Sequence, residues 1–142
     1  MVCAMGYAVI LAWVIQAAVG ASLLVSWVRH ARGRDAGLVL THAIMMVGFL
    51  VPWTAFVATG AVVWAWAGFA ILLVFIGFGD AMMVRRARVV TGESEPGARD
   101  YWRAVRVALK GRLGWRVTFH ALFAPVVFFG SLAVCIVATI AE

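Results

Sequence analysis

The sequence predicts an all-α integral membrane protein: a bundle of four transmembrane helices, both termini outside, with one amphipathic helix along the cytoplasmic surface. Two observations carry this. All 12 Lys and Arg residues fall in two segments, 29–34 and 85–116, while the remaining segments are long and almost free of charge. Hydrophobic residues make up 65% of the 142, so the chain is expected to be a single membrane domain, 1–142, with no soluble domain attached.

A hydrocarbon core of about 30 Å needs about 20 helical residues. Residues 1–28 and 117–141 therefore supply one helix each, whereas a helix over 36–79 would reach about 66 Å and must fold back. Ala58-Thr59-Gly60 is the turn signal near its middle. The expected spans are 5–28, 36–57, 61–84 and 117–140, with a cytoplasmic loop over 85–116.

Short loops retain their cations on the cytoplasmic side, and in a four-pass chain both basic loops share one side. Tyr7, Trp53, Trp64 and Trp66 then fall near the outer edge and Trp27, Trp102 and Trp115 near the inner one, as headgroup-level aromatics should. Trp13 falls outside both belts and is expected between helices or against lipid. No basic n-region precedes the first apolar stretch, so it is expected to be retained and not cleaved as a signal peptide. The net charge of +6 would suggest nucleic acid in a soluble protein, but topology accounts for it here. The Arg/Ala/Val/Gly-rich composition suits the inner (plasma) membrane of a high-GC bacterium.

The large loop opens with breakers and acids over 91–97 and then turns helical. Arg99, Arg103, Arg106 and Lys110 recur at helical spacing beside a stripe of Trp102, Val105, Leu109 and Leu113. Such a helix can lie in the interface, its cations among anionic headgroups or against a cytosolic partner.

An ionisable group in hydrocarbon costs about 2.5–3.5 kcal/mol on insertion scales, so each needs a reason. His42 stands about 12 Å along its helix from Arg34, His120 about 6 Å from Arg116, and Asp80 about 7–8 Å from Arg85. Three helices thus bring a titratable side chain to one layer on the cytoplasmic side. Two imidazoles there could be the axial ligands of haem b, or with Asp80 hold a transition metal as a two-His-one-carboxylate set. A proton relay uses the same groups. Met45 and Met46 offer soft ligands for copper. The plainer alternative is interhelical polar contact, with Asp80 paired to Arg85 or Arg86 and no cofactor.

Gln16 can bond across to helix 2 or 3, and Pro52 and Pro125 are expected to kink helices 2 and 4. Small residues at Ala17, Ala18, Gly20, Ala21, Ser22, Gly77, Gly79 and Ala81 allow close approach of helices, in this bundle or with another protein. Cys3 and Cys135 both fall toward the outside, where a disulfide is conceivable, but no C-x-x-C pair marks redox chemistry.

These features support three functions. The first is a non-catalytic accessory or assembly subunit of a larger membrane complex, with lipid and other integral subunits, or further copies, as partners. The second is a haem- or metal-binding redox protein using His42 and His120. The third is a homo-oligomeric transporter or channel. No phosphate loop, nucleophile triad or dinucleotide fingerprint supports soluble-type enzymology.

Overall fold

The computed structural model describes residues 2–93 and 99–141, excluding the side chain of Cys3. Its six helices are α1 (Val2–His30), α2 (Ala36–Gly48), α3 (Leu50–Thr59), α4 (Val62–Thr91), α5 (Asp100–Leu109) and α6 (Trp115–Ile140). Four helical stretches are long and apolar enough to cross a membrane: Ala4–His30, Ala36–Thr59, Val62–Thr91 and Trp115–Ile140. Their outward surface is apolar too, with Leu11, Ile44, Val51, Leu73 and Phe129 all exposed. Lipid accepts such a surface, whereas water would drive it to associate.

The second span is broken at Phe49, three residues before Pro52. Proline has no N–H to give and its ring crowds the carbonyl four residues back, which here is that of Gly48. Pro125, expected to act in the same way, sits within an unbroken α6. The fold-back occurs where expected. Gly60 ends α3 in the left-handed region at φ 73°, and α4 starts two residues later.

Two boundaries differ from the sequence reading. Helix α4 continues from the expected end at 84 to Thr91, so Arg85, Arg86 and Arg88 ride on a helix and not a loop. Charge marks the edge of the bilayer, but it does not stop a helix. Helix α5 spans 100–109, not 99–113, and is anchored by an ion pair between half-buried Arg88 and buried Asp100. Its inward face is Ala104, Val107 and Ala108.

That face corrects the expected apolar stripe. Trp102 and Leu109 do point outward, but Leu113 is buried in a cluster with Met83, Ala87 and Val107, and Val105 packs against the same cluster. Small side chains won the inner position because they let α5 approach α4 closely. Of the expected headgroup cations, Arg103 pairs with Glu93 at 2.7 Å, while Arg106 and Lys110 are exposed. Arg99 is the residue preceding α5.

The helices form a ring. α1 packs on α6, α6 on α4, α4 on α2 and α3, and α3 back on α1. The second and fourth spans therefore face each other across a diagonal. Contact between α1 and the second span is made through α3, with at most marginal contact to α2. The half that carries the basic segments is accordingly splayed while the half that carries the Gly60 turn is closed.

The closed half holds the main core: Phe49, Trp53, Phe56, Ala65, Phe69, Leu72, Val134 and Cys135. Trp53, expected at the outer belt, is wholly buried and donates from Nε1 to the Gly6 carbonyl at 3.2 Å. Trp13 packs between helices, its Nε1 on the Met46 carbonyl at 3.1 Å. Cys135 is a buried free cysteine, and a link to Cys3, conceivable from the sequence but not its preferred reading, falls outside the described residues.

Candidate functional site: a paired-histidine cleft

The splayed half encloses a cleft of about 780 Å³, within the range of small-molecule and cofactor sites. Its deep end is apolar, lined by Trp13, Met46, Leu72 and Phe128, and its other end reaches Arg34, Arg86 and Arg116. His42 and His120 face each other between these ends. Their ring centroids are 6.3 Å apart and the ring planes meet at 79°.

Each ring is held by the same device on a neighbouring helix. The His42 ring presses its Cε1 edge on Gly79 of α4, and the His120 ring presses its own on Gly20 of α1. A Cβ at either glycine would come within 2.9 Å of Cε1. Glycine is required at both places because a ring fills the volume that a side chain would occupy.

The carbonyl one helical turn earlier is addressed in both cases. His42 Nδ1 lies 3.4 Å from the Phe75 carbonyl, four residues before Gly79. The His120 ring lies against the Gln16 carbonyl, four residues before Gly20. A glycine at the end of an i to i+4 backbone bond leaves that carbonyl unshielded, so a second donor can approach. Gln16 adds a side-chain bond from Nε2 to the His120 carbonyl at 2.7 Å.

The Nε2 atoms are the other half of the geometry. Neither makes a hydrogen bond among the described residues and neither is sealed from the cleft that both rings line. A neutral imidazole with its hydrogen on Nδ1 offers a lone pair at Nε2. The arrangement therefore leaves two unbonded imidazole nitrogens on rings that line one cleft.

Asp80 does not join them. Among the described residues no group of three or more His, Cys, Asp or Glu side chains is placed to hold a metal ion, so the two-His-one-carboxylate set gains no support. Asp80 lines the same cleft, one residue past Gly79 and so about 100° round the helix from the point that rests on His42. It influences α5 instead: burial, and then the Asp80 charge, hold the Tyr101 phenol above its ordinary pKa. Nor does Asp80 pair with Arg85 or Arg86, which bond to Asp35 and to the Leu113 carbonyl. Met46 lines the cleft, but Met45 does not.

Sequence reasoning found both histidines and their common depth. It took Gly20 and Gly79 for helix-packing residues and gave Gln16 a bond to the second or third span, whereas the structure bonds it to the fourth, which lies beside α1 in the ring. The signal that could have separated them is the glycine four residues after a carbonyl, occurring at the histidine depth on two helices.

No known protein family, curated protein or solved structure matches this chain.

The two cradles make a testable statement. Gly79→Ala or Gly20→Ala should displace a ring, and any cofactor held by the two imidazoles should then bind about 10–100-fold more weakly, as on loss of supporting contacts at metal centres. Gly77→Ala, with nothing within 4 Å of its Cβ, should bind normally. Alanine favours a helix over glycine by roughly 1 kcal/mol, so weakening at 20 and 79 alone would report the rings and not the helices. Titrating haem into purified apo-protein measures it.

Proposed function

We propose that this chain is a b-type haem protein of the membrane, with His42 and His120 as the two axial ligands. The supporting observation is the ring pair itself. A metal–imidazole bond is about 2.0 Å and the ring centre lies about 1.2 Å behind Nε2, so imidazoles on opposite faces of one iron have centroids about 6.4 Å apart. The observed separation is 6.3 Å.

The walls agree with that ligand. Haem is an apolar plate with two carboxylates on one edge, and the cleft is apolar at depth with Arg34, Arg86 and Arg116 at its mouth. Arg–carboxylate bonds are strong and directional. The carboxylate edge would therefore face the basic side of the bundle. His42 and His120 would hold the group, and haem bound there would supply one-electron exchange at iron. The residues of the chain hold the ligand nitrogens neutral, exclude water from the deep end and neutralise the carboxylates.

The experiment is an optical spectrum of protein purified in mild detergent from cells supplied with haem precursor. A Soret band with sharp α and β bands on dithionite reduction is the expected result. A blank spectrum, with no uptake on titration with hemin, would overturn the reading.

We further read the orientation from charge: cations of 29–34 and 85–116 on the cytoplasmic face of a bacterial inner membrane, termini outside. The exposed Trp102 and Leu109, flanked by Arg106 and Lys110, suit contact of α5 with anionic headgroups. A cysteine placed at Lys110 should react with a membrane-impermeant maleimide only after the cells are opened. Labelling in intact cells would reverse the topology.

The accessory-subunit reading leaned on small residues as helix-docking surface. Gly20 and Gly79 are instead occupied by histidine rings, and Ala17 and Ala21 line the cleft. The transporter reading gains no specific support.

A further inference from the structure

The two histidines are not equally provided for. His42 Nδ1 has the Phe75 carbonyl at 3.4 Å. His120 Nδ1 is buried without a hydrogen bond of normal geometry, and so is Gln16 Oε1. One is a nitrogen able to carry a hydrogen and the other an acceptor, and the two residues are already joined by the bond from Gln16 Nε2 to the His120 carbonyl. That bond assigns the amide, since the flipped form would set oxygen against oxygen.

We propose that Gln16 is the positioning residue for His120. With haem bound, its Oε1 accepts the hydrogen of His120 Nδ1 while its NH₂ keeps the His120 carbonyl, clamping both ends of one ligand residue. This satisfies two buried polar atoms at once. It also sets the tautomer that leaves the Nε2 lone pair on the cleft, and makes that nitrogen a stronger donor to iron. The inference rests on the haem reading and extends it by naming the side chain through which the ligand field is tuned. At His42 the corresponding acceptor is backbone.

The competing acceptor at His120 is the Gln16 backbone carbonyl, which every substitution at position 16 retains. Replacing the side chain therefore separates the two. The experiment compares wild type, Gln16→Leu and Gln16→Glu by redox titration and by electron paramagnetic resonance of the ferric form. Gln16→Leu removes the acceptor and should raise the midpoint potential. Gln16→Glu, measured above the titration of its carboxyl, supplies a charged acceptor, favours ferric iron and should lower it. Opposite shifts with the Soret band retained are the expected result. Midpoints and spectra unchanged in both variants, or moved in the same direction, would assign the role to the backbone carbonyl or to packing and overturn the proposal. Wild-type protein that takes up no haem would remove the haem reading, and this inference with it. Haem uptake with unshifted midpoints would remove this inference alone.

Discussion

Replacing either His42 or His120 with alanine should reduce bound haem to less than about a tenth of the wild-type amount, since a direct ligand matters at least as much as the outer contacts whose loss costs 10–100-fold. The expectation is symmetrical because the two rings come from diagonally opposed spans and each is pressed on its own glycine. The remaining ring cannot serve both faces of the iron. The fold should survive, because the wholly buried side chains Phe49, Trp53 and Leu113 lie in clusters to which neither histidine belongs. Pyridine haemochrome assay of the purified variants, alongside circular dichroism, measures both halves of this statement. His120→Met is the informative companion, since a thioether in place of an imidazole should raise the potential while keeping two axial ligands. Full haem content in both alanine variants would mean that the haem is held by the shape of the cleft alone or at another site, and would overturn the assignment of the two ligands.

The largest effect on stability is expected from Trp53→Ala. Trp53 is 0% exposed. Its ring stacks on Phe49 at 5.1 Å and meets Phe56 at 5.6 Å, and its indole nitrogen ties the α3 segment to Gly6 of α1. Truncating an aromatic in a packed core costs about 3–5 kcal/mol. In a bilayer the cost is expected near the lower end, because lipid is as apolar as the core and the loss is one of packing and a buried hydrogen bond. Unfolding by sodium dodecyl sulfate from mixed micelles should show it. Trp102→Ala, on the exposed face of α5, should change stability by less than about 0.5 kcal/mol. Equal effects of the two substitutions would show that Trp53 is not a keystone of the closed half. Together with the histidine variants this gives a double dissociation, with haem lost on an intact fold in one case and a weakened fold with intact ligands in the other.

The number of spans, the fold-back at Gly60 and the depth of His42 and His120 were readable from composition and spacing. Each is a one-dimensional quantity. Bilayer thickness converts residue count into span number, left-handed backbone converts a glycine into a turn, and distance from an arginine converts position into depth. Interior boundaries were less readable: α4 runs on to Thr91 and α5 ends at Leu109 because a helix stops where its backbone and packing stop it, not where charge begins.

Direction around a helix axis was the quantity the chain alone could not supply. In a membrane helix that is apolar on all sides, no polar face says which side is inward. Trp53 and Trp64 look alike along the sequence, yet one is buried and the other exposed, because only the first lies on the face that α4 and α1 cover. The same ambiguity placed Asp80 with the two histidines at one depth. Depth put three groups in a layer, while azimuth and the ring order of the spans set the two imidazoles ring to ring and left Asp80 on the cleft wall one residue beyond Gly79. Gly20 and Gly79 acquire their meaning in the same way, as positions left without a side chain because an imidazole from the next helix fills the space.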